Sequence, residues 1–205
     1  TSVQATVGSA SFVGVDDLTL SVSNVNLLVN KAATDGTVVD YQQGADESAV
    51  TALQVKVATA QSVSFSLDDT AGDFMSLTGT ANIDLFGFTQ VNGNFAVEYK
   101  TGQSLYISGT GAANTEVTDA TLLTLGLSNV NAFVGSNGNT ADELGLKLSQ
   151  VDLAIALWSE GSSRKWTSVQ ATVGSASFVG VDDLTLSVSN VNLLVNKAAT
   201  DGTVV

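Results

Sequence analysis

Residues 167–205 repeat residues 1–39 letter for letter. A self-match of this length without a single substitution indicates a tandem array with a period of 166 residues. The chain therefore holds one complete repeat unit, residues 1–166, and the start of the next, residues 167–205. Because the second copy resumes directly after Trp166 and only Gly161 to Ser163 are linker-like, the sequence predicts that the copies are continuous. We expect this chain to be a window from a longer array.

The composition excludes several classes of function. Cysteine, histidine and proline are absent, so disulfides, thiolate metal sites and imidazole catalysis are impossible. The net charge of −13 predicts that the chain does not bind nucleic acid, which requires clustered Lys or Arg. The longest apolar run, Val151 to Trp158, is too short to span a bilayer, and we expect no membrane insertion in this segment. Near-identical duplication is typical of spacers, and we expect that the chain is not an enzyme.

The dominant local pattern is alternation of apolar and polar residues, which is typical of half-buried β-strands. Apolar runs begin at Val3, Ala10, Leu18 and Val25, and the alternation slips between them at Gly, Ser, Asn or Asp. No helical periodicity is sustained. The absence of proline suits a chain whose backbone N–H groups are committed to sheet ladders. The sequence therefore predicts an all-β fold.

A second, weaker repeat lies inside the long one. Its copies are LTLSVSNVNLLV (Leu18 to Val29), LTLGLSNVNAFV (Leu123 to Val134), LGLKLSQVDLAI (Leu144 to Ile155) and a fainter FGFTQVNGNFAV (Phe86 to Val97). Val130 and Val151, which occupy the same position in two copies, are 21 residues apart. Three faces of about seven residues make one coil of that length, which favours a β-solenoid like a parallel β-helix, with coils of about 21 residues.

The alternative architecture is an extended twisted antiparallel sheet or a sandwich. Residues Asn92 to Lys100 and Leu105 to Ser108 are two strand-like runs separated by TGQS. They predict a hairpin around Thr101 and Gly102. Such a hairpin is typical of antiparallel sheets rather than of solenoid coils.

Acidic residues give one candidate metal site. Asp68, Asp69 and Asp73, in SLDDTAGDF, place three carboxylates around a glycine, and oxygen ligands of this kind suit Ca²⁺. The spacing is neither that of an EF-hand nor that of the calcium-binding nonapeptide, and a solvated turn is the competing interpretation. We expect that no cofactor is required, with calcium as the one candidate.

The segment SSRKW, Ser162 to Trp166, is the other candidate site. A functional interpretation makes Trp166 a platform for a sugar and Arg164 a donor to sugar or phosphate. The competing interpretation is a turn whose tryptophan caps the edge of the core.

Long stretches of the chain resemble the repeats of giant, tandemly repeated bacterial surface proteins of the adhesin-like, loosely RTX-like kind. The stretches are LTLSVSNVNLLVNKAATDGTVVDY, LFGFTQVNGNFAVE and LLTLGLSNVNAFVGSNGNTADELGLKLSQVDLAIALWSEGSSRKWTSVQATVGSASFVGVDDL. The resemblance implies an extracellular or cell-surface location and a structural or adhesive role. The glycine-aspartate nonapeptide of true RTX proteins is missing.

We therefore expect a stalk, fibre or extracellular-matrix scaffold whose partners are the neighbouring repeats, with self-association into fibres. The alternative is an adhesin repeat that binds a ligand or Ca²⁺ and contacts glycans.

Overall fold

The computed structural model describes residues 1–42, 52–65, 67, 69–109 and 114–205. Ten β-strands run through these residues, and their bounds are β1 Ser2–Phe12, β2 Leu18–Asn30, β3 Gln54–Ala58, β4 Gln61–Ser64, β5 Phe74–Leu85, β6 Thr89–Ile107, β7 Thr115–Ser136, β8 Leu144–Glu160, β9 Arg164–Val179 and β10 Leu186–Lys197. The predicted all-β fold is confirmed.

Eight of the strands form one sheet in the order β1-β2-β5-β6-β7-β8-β9-β10, and β3 and β4 form a separate two-stranded ladder. Every neighbouring pair is antiparallel. The predicted β-solenoid is therefore wrong, because a parallel β-helix requires parallel ladders between successive coils. The alternative prediction of an extended antiparallel sheet fits the structure.

The spacing of 21 residues has a different cause from the one predicted. Val130 of β7 and Val151 of β8 lie directly opposite each other in the antiparallel ladder. Their separation in sequence is the path from the middle of one strand, around a turn, to the middle of its neighbour. A solenoid coil and a hairpin of long strands give the same spacing, and the ladder direction identifies the hairpin here.

The slips in the alternation lie inside strands and do not end them. Asn24 of β2 has a φ of 52°, a left-handed conformation that Asn tolerates. The β2–β5 register shifts at this point, between Ser23 and Asn26, as expected for a bulge. The slip in the sequence and the bulge in the backbone compensate each other, so apolar residues before and after Asn24 stay on one face.

Similar irregularities recur at the same level across the sheet. Asn129 of β7, Gln150 of β8 and Asn190 of β10 also have positive φ values, between 51° and 54°. Each occupies the Asn or Gln position of the internal repeat SNVN or SQVD. Register shifts occur beside Asn129 and Gln150 in the β7–β8 ladder. The internal repeat therefore marks a transverse row of backbone irregularities, which we call the bulge row.

The sheet has two chemically distinct faces. One row of paired residues crosses all eight strands and is wholly apolar: Ala5, Leu27, Leu77, Val97, Leu125, Ile155, Val169 and Val195. The next row, on the opposite face because side chains alternate, holds small and polar residues for the most part: Thr6, Asn26, Thr78, Ala96, Gly126, Ala154, Gln170 and Leu194. We call these the apolar face and the small-residue face.

The best-buried cluster lies at one end of the strands, not at the sheet centre. It consists of Leu105, Ile107, Val117, Ala120, Trp166 and Ala199, with Trp158 and Val205 packed against it. The predicted hairpin around Thr101 and Gly102 is wrong, because β6 continues through these residues with a register shift between Lys100 and Gln103. This continuation carries Leu105 and Ile107 into the cluster.

Candidate functional site: the junction between repeats

The boundary between the two copies lies within a strand. Strand β9 begins at Arg164, in the first copy, and ends at Val179, in the second. It pairs with β8 of the first copy at 15 positions, from Glu160 opposite Arg164 to Gly145 opposite Val179. The ladder contains no register shift. The sheet therefore passes from one copy to the next without a change of register.

The two copies of the repeated hairpin show what each neighbouring strand covers. Among the described strands, β1 pairs with β2 alone, whereas β9, which contains the same sequence, lies between β8 and β10. Val7 is 44% exposed in β1, and its counterpart Val173 is half-buried. In the other strand of the hairpin, the residue of the second copy is the more exposed one. Leu194 of β10 is 75% exposed, while its counterpart Leu28 is half-buried against β5.

Trp166 anchors the junction. Its side chain is 1% exposed, and it lies opposite Trp158 in the β8–β9 ladder. The indole N–H donates to the carbonyl and hydroxyl oxygens of Thr203, both at 3.1 Å. Thr203 belongs to the second copy, as do Ala199 and Val205 of the same cluster. The best-buried cluster is therefore shared between two repeats.

The segment from Lys197 to Val205, which we call the docking loop, is held to the first copy by its backbone as well. Val204 and Ser108 exchange two hydrogen bonds, of 2.7 and 2.8 Å. Within the loop, Ala199 N–H donates to the Thr203 carbonyl at 2.9 Å. The Asp201 carboxylate accepts from the Thr203 amide and hydroxyl. These two bonds hold the turn that precedes Val204, the residue bonded to the first copy.

The first-copy docking loop, residues 31–39, forms the same turn but is not packed on a tryptophan; its Lys31 is paired with Asp73. Ala33 N–H donates to the Thr37 carbonyl at 2.8 Å, and Asp35 accepts from Thr37 as Asp201 does from Thr203. Ala33 is exposed, whereas its counterpart Ala199 is 7% exposed. The turn is therefore the same in both surroundings, and packing on Trp166 adds burial.

No family model matches this chain, and neither a curated protein nor a solved structure shows significant similarity to it. Its function has to be inferred from the junction itself.

Charged groups also connect the two copies. Arg164 Nε donates to Glu160 at 2.5 Å, and a second guanidinium nitrogen lies 3.5 Å from Asp201 of the second copy. The hydrogen bond from Arg164 lowers the pKa of Glu160, and the hydrogen bonds from Thr203, with Arg164 as a weaker cause, lower the pKa of Asp201. These groups are partly exposed, so each pair adds little stability.

The burial of Trp166 argues against a sugar-binding role for the segment SSRKW. The Arg164 guanidinium lies 5.3 Å from the centre of the Trp166 ring, and the indole is buried by the docking loop. A ring without an exposed face cannot stack on a sugar. The geometry agrees with the competing interpretation, in which the tryptophan caps the core edge.

The acidic candidate site is only partly within the described residues. Asp68 lies outside them. Asp69 is exposed, and its carbonyl accepts from Gly72 N–H at 2.9 Å in a turn. The Asp73 carboxylate is paired with Lys31 Nζ at 3.1 Å. Among the described residues, no three Asp, Glu, His or Cys side chains lie close enough to hold a metal ion together.

Within the ranges that the structure describes, no helix is long and apolar enough to cross a membrane.

Trp166 was a candidate from the sequence. Ile107 and Val117, which lie in the same buried cluster, and Ser108, which pairs with Val204, were not. The alternating apolar residues of LYI, at 105–107, were the available signal. Only the three-dimensional contact with the docking loop gives them a role.

Proposed function

We propose that this chain is a structural repeat segment of a long secreted or surface-attached bacterial protein, acting as a stalk, fibre or extracellular-matrix scaffold without catalytic activity. The observation that carries the proposal is the uninterrupted β8–β9 ladder across the repeat boundary. The resemblance to bacterial surface repeats supports the extracellular location. The acidic surface, with a net charge of −13, keeps an extended polymer soluble.

The mechanism is extension of one sheet by copy number. Each period contributes six strands to the sheet, β1, β2 and β5 to β8. At a strand spacing of about 4.8 Å, one period advances the sheet by about 29 Å. Hydrogen bonds of an antiparallel ladder run perpendicular to its strands, so the hydrogen bonds of this sheet lie along the direction in which the array lengthens. The docking loop, packed on Trp166, adds contacts between the two copies at the β8–β9 junction.

Chains with one, two and four complete copies test the proposal. A shared sheet predicts that the maximum dimension from small-angle X-ray scattering rises by about 29 Å for each added copy. The free energy of unfolding should rise as well, because each new copy covers an exposed edge. An unfolding midpoint that is independent of copy number would contradict a shared sheet. Labelling of intact bacteria with an antibody to the repeat tests the proposed location.

A second candidate function is glycan contact by the small-residue face. A groove of about 440 Å³ follows the bulge row and is lined by Asn129, Gln150, Asp152, Thr172, Gly174, Asn190 and Asn192, with two valines. Amide, hydroxyl and carboxylate groups are suitable partners for sugar hydroxyls. A glycan array with the whole chain tests this role, and loss of any signal on Asp152→Ala and Asn192→Ala would assign it to the groove.

A further inference from the structure

The apolar face of the sheet is almost free of charge over three consecutive rows. The row that contains Leu77 and Leu125 lies between two others on the same face, because alternate residues of a strand point the same way. The first of them is Val3, Val29, Met75, Tyr99, Leu123, Leu157, Thr167 and Lys197. The second includes Gly79, Phe95, Leu127, Leu153, Ala171 and Leu193. Lys197, at the end of β10, is the one charged residue in these three rows.

Phe95 closes the gap that Gly79 would otherwise leave in the apolar face. A Cβ at Gly79 would lie 2.9 Å from Phe95 Cζ and 3.2 Å from Val25 Cγ2. The aromatic ring of β6 and the valine of β2 therefore meet over the glycine of β5. Aromatic side chains cover strand glycines in this way in other sheets. The face is thus one continuous apolar layer.

This layer is open to solvent in the interior of the sheet. Met75 and Leu157 are each 41% exposed, and Leu125 is 36% exposed. They lie on β5, β8 and β7, each of which has a paired strand on both sides. Their exposure therefore comes from an uncovered face and is independent of the sheet edges.

The area of the face is that of an interface between proteins. Strands β2 and β5 to β9, which all have two neighbours, are together about 29 Å wide, and Met75 to Leu85 of β5 is about 34 Å long. The face of these six strands thus measures about 1,000 Å². A stable pair of proteins buries about 800 Å² on each partner, whereas the largest apolar patch of a typical monomer is about 300–600 Å². The β3–β4 ladder, with strands of five and four residues, covers only about 150 Å².

The distribution of charge favours contact between two apolar faces. Two chains with a net charge of −13 each repel one another. The strand carboxylates Glu98 and Asp152 project from the small-residue face, because they alternate with Val97 and Leu153. Two apolar faces can therefore meet without bringing these carboxylates together, whereas two small-residue faces would place them opposite each other.

We infer that two copies of this chain pair through their apolar faces, with the sheets stacked about 10 Å apart as in a β-sandwich. The contact uses the same surface on both partners, so it closes as a symmetric dimer. The small-residue faces then point outward, and the groove along the bulge row stays open. Pairing needs only one period of the repeat, so the inference goes beyond the proposed function and is independent of it.

Sedimentation equilibrium of the whole chain tests the pairing. The unmodified chain should dimerise, and Leu125→Lys should raise the dissociation constant by about a hundredfold or more, because two unpaired charges enter each symmetric interface. Thr124→Lys is the matched control, since it adds the same charge to the opposite face of the same strand and should leave the dimer intact. Leu125→Met conserves side-chain volume and should also dimerise.

A second pair of variants covers the case in which a lysine at position 125 disturbs the sheet. Leu157→Lys should weaken the dimer, whereas Ala156→Lys, on the opposite face of β8, should not. Far-UV circular dichroism and urea unfolding identify the variants that keep the fold. A chain that is monomeric at every concentration, or dimers that persist in both leucine variants, would overturn the inference.

A photoreactive benzoylphenylalanine identifies what touches the face. Placed at Leu125, it should cross-link a second chain, and placed at Thr124 it should not. Insertion into residues 53–65 of its own chain would instead assign the face to the β3–β4 ladder. Binding of a monomeric chain to neutral phosphatidylcholine vesicles, abolished by Leu125→Lys, would assign it to a lipid surface. Either result overturns the inference.

Failure of pairing is distinguishable from failure of the proposed function. Monomeric chains that still lengthen by about 29 Å for each added copy would overturn the pairing alone. Dimers of a chain whose added copies bring no such lengthening would support the pairing and contradict the shared sheet.

Discussion

The indole nitrogen of Trp166 lies 3.1 Å from both the carbonyl and the hydroxyl oxygen of Thr203, which is 37 residues later and belongs to the next copy of the repeat. The identical residue Thr37 makes its own turn with Asp35 but is exposed. One chain therefore contains the same loop in a docked and in an undocked state. This comparison isolates what one repeat contributes to its neighbour.

Replacement of Trp166 should weaken the junction more through lost packing than through the lost hydrogen bond. Trp166→Ala is expected to lower the free energy of unfolding by about 3–5 kcal/mol, because it leaves a cavity in the best-buried cluster. Trp166→Phe keeps most of the ring volume and should lose much less, with about 1 kcal/mol for the hydrogen bond. Urea titration measures both. Equal losses for the two variants would contradict the dominance of packing.

Asn30 and Asn196 are the same residue in different surroundings and should respond differently to alanine. Asn30 is fully buried, accepts from Ser2 Oγ at 2.9 Å and donates to the Val39 carbonyl at 2.8 Å. Asn30→Ala removes a fully buried side chain together with these hydrogen bonds and should cost about 1–3 kcal/mol. Asn196→Ala, at an exposed position, should change stability by no more than about 0.5 kcal/mol. Thermal unfolding of the two variants side by side makes the comparison, and equal losses would show that burial by β5 and its neighbours is unimportant.

Gly93 lies where the β6–β7 register shifts, between Asn92 and Asn94, and this position should be intolerant of a side chain. A Cβ at Gly93 would lie 2.8 Å from Val130 Cα, so Gly93→Ala is expected to cost about 1–3 kcal/mol through overpacking. Gly8→Ala is the control, because its added Cβ meets nothing within 4 Å. It should leave stability unchanged or slightly raise it. Denaturant unfolding of both variants checks the difference, and a neutral Gly93→Ala would show that the ladder relaxes around the methyl group.

Arg164→Gln should raise the pKa of Glu160 and, by a smaller amount, that of Asp201. Arg164 is the main cause of the lowered pKa of Glu160 and a minor cause for Asp201, whereas the pKa of Asp35 is lowered mainly by hydrogen bonds from Thr37 and owes nothing to Arg164. A carboxyl whose pKa is lower in the folded state stabilises the fold at neutral pH. That contribution is lost as the pH falls through the folded-state pKa, below the ordinary values of 4.5 and 3.8. Carbon-detected NMR titration measures all three groups, and a shift of Asp35 would contradict the assignment.

Removal of metal ions should leave the stability unchanged. Asp73 is already paired with Lys31, and Asp69 lies in a turn closed by a backbone hydrogen bond. Thermal unfolding in a chelator is therefore expected to match unfolding in excess Ca²⁺. A lower midpoint in the chelator, restored by Ca²⁺ and abolished by Asp69→Asn, would instead support a calcium site at the acidic loop.

The sequence predicted the strands and their faces better than their arrangement. Alternation around Val3, Leu18 and Val25 depends on local geometry, so the all-β prediction followed directly. Asn24 was ambiguous, because a residue that tolerates positive φ suits both a solenoid corner and a bulge within a strand. Val130 and Val151 were ambiguous for a similar reason, since the residue count between two paired positions is independent of the ladder direction.

The sequence predicted that the two copies are continuous, but not which residues contact each other at the junction. The identity of residues 167–205 with residues 1–39 and the absence of a linker predicted continuity between copies. The docking of Thr203 and Ala199 against Trp166 depends on residues far apart in sequence, and alternation patterns carry no information about such contacts. Ser108, which pairs with Val204, has no distinguishing local signal at all.

The identity of the β1–β2 hairpin with the β9–β10 hairpin has a consequence for how such a protein can change over generations. Insertion or deletion of a whole copy by recombination would leave every strand beside the same neighbours, with the same register and the same tryptophan under the same loop. Overall length is therefore free to vary by whole units, while a point substitution in one hairpin alters a joint. Selection therefore acts on the residues of the junction, whereas the number of junctions is free to change.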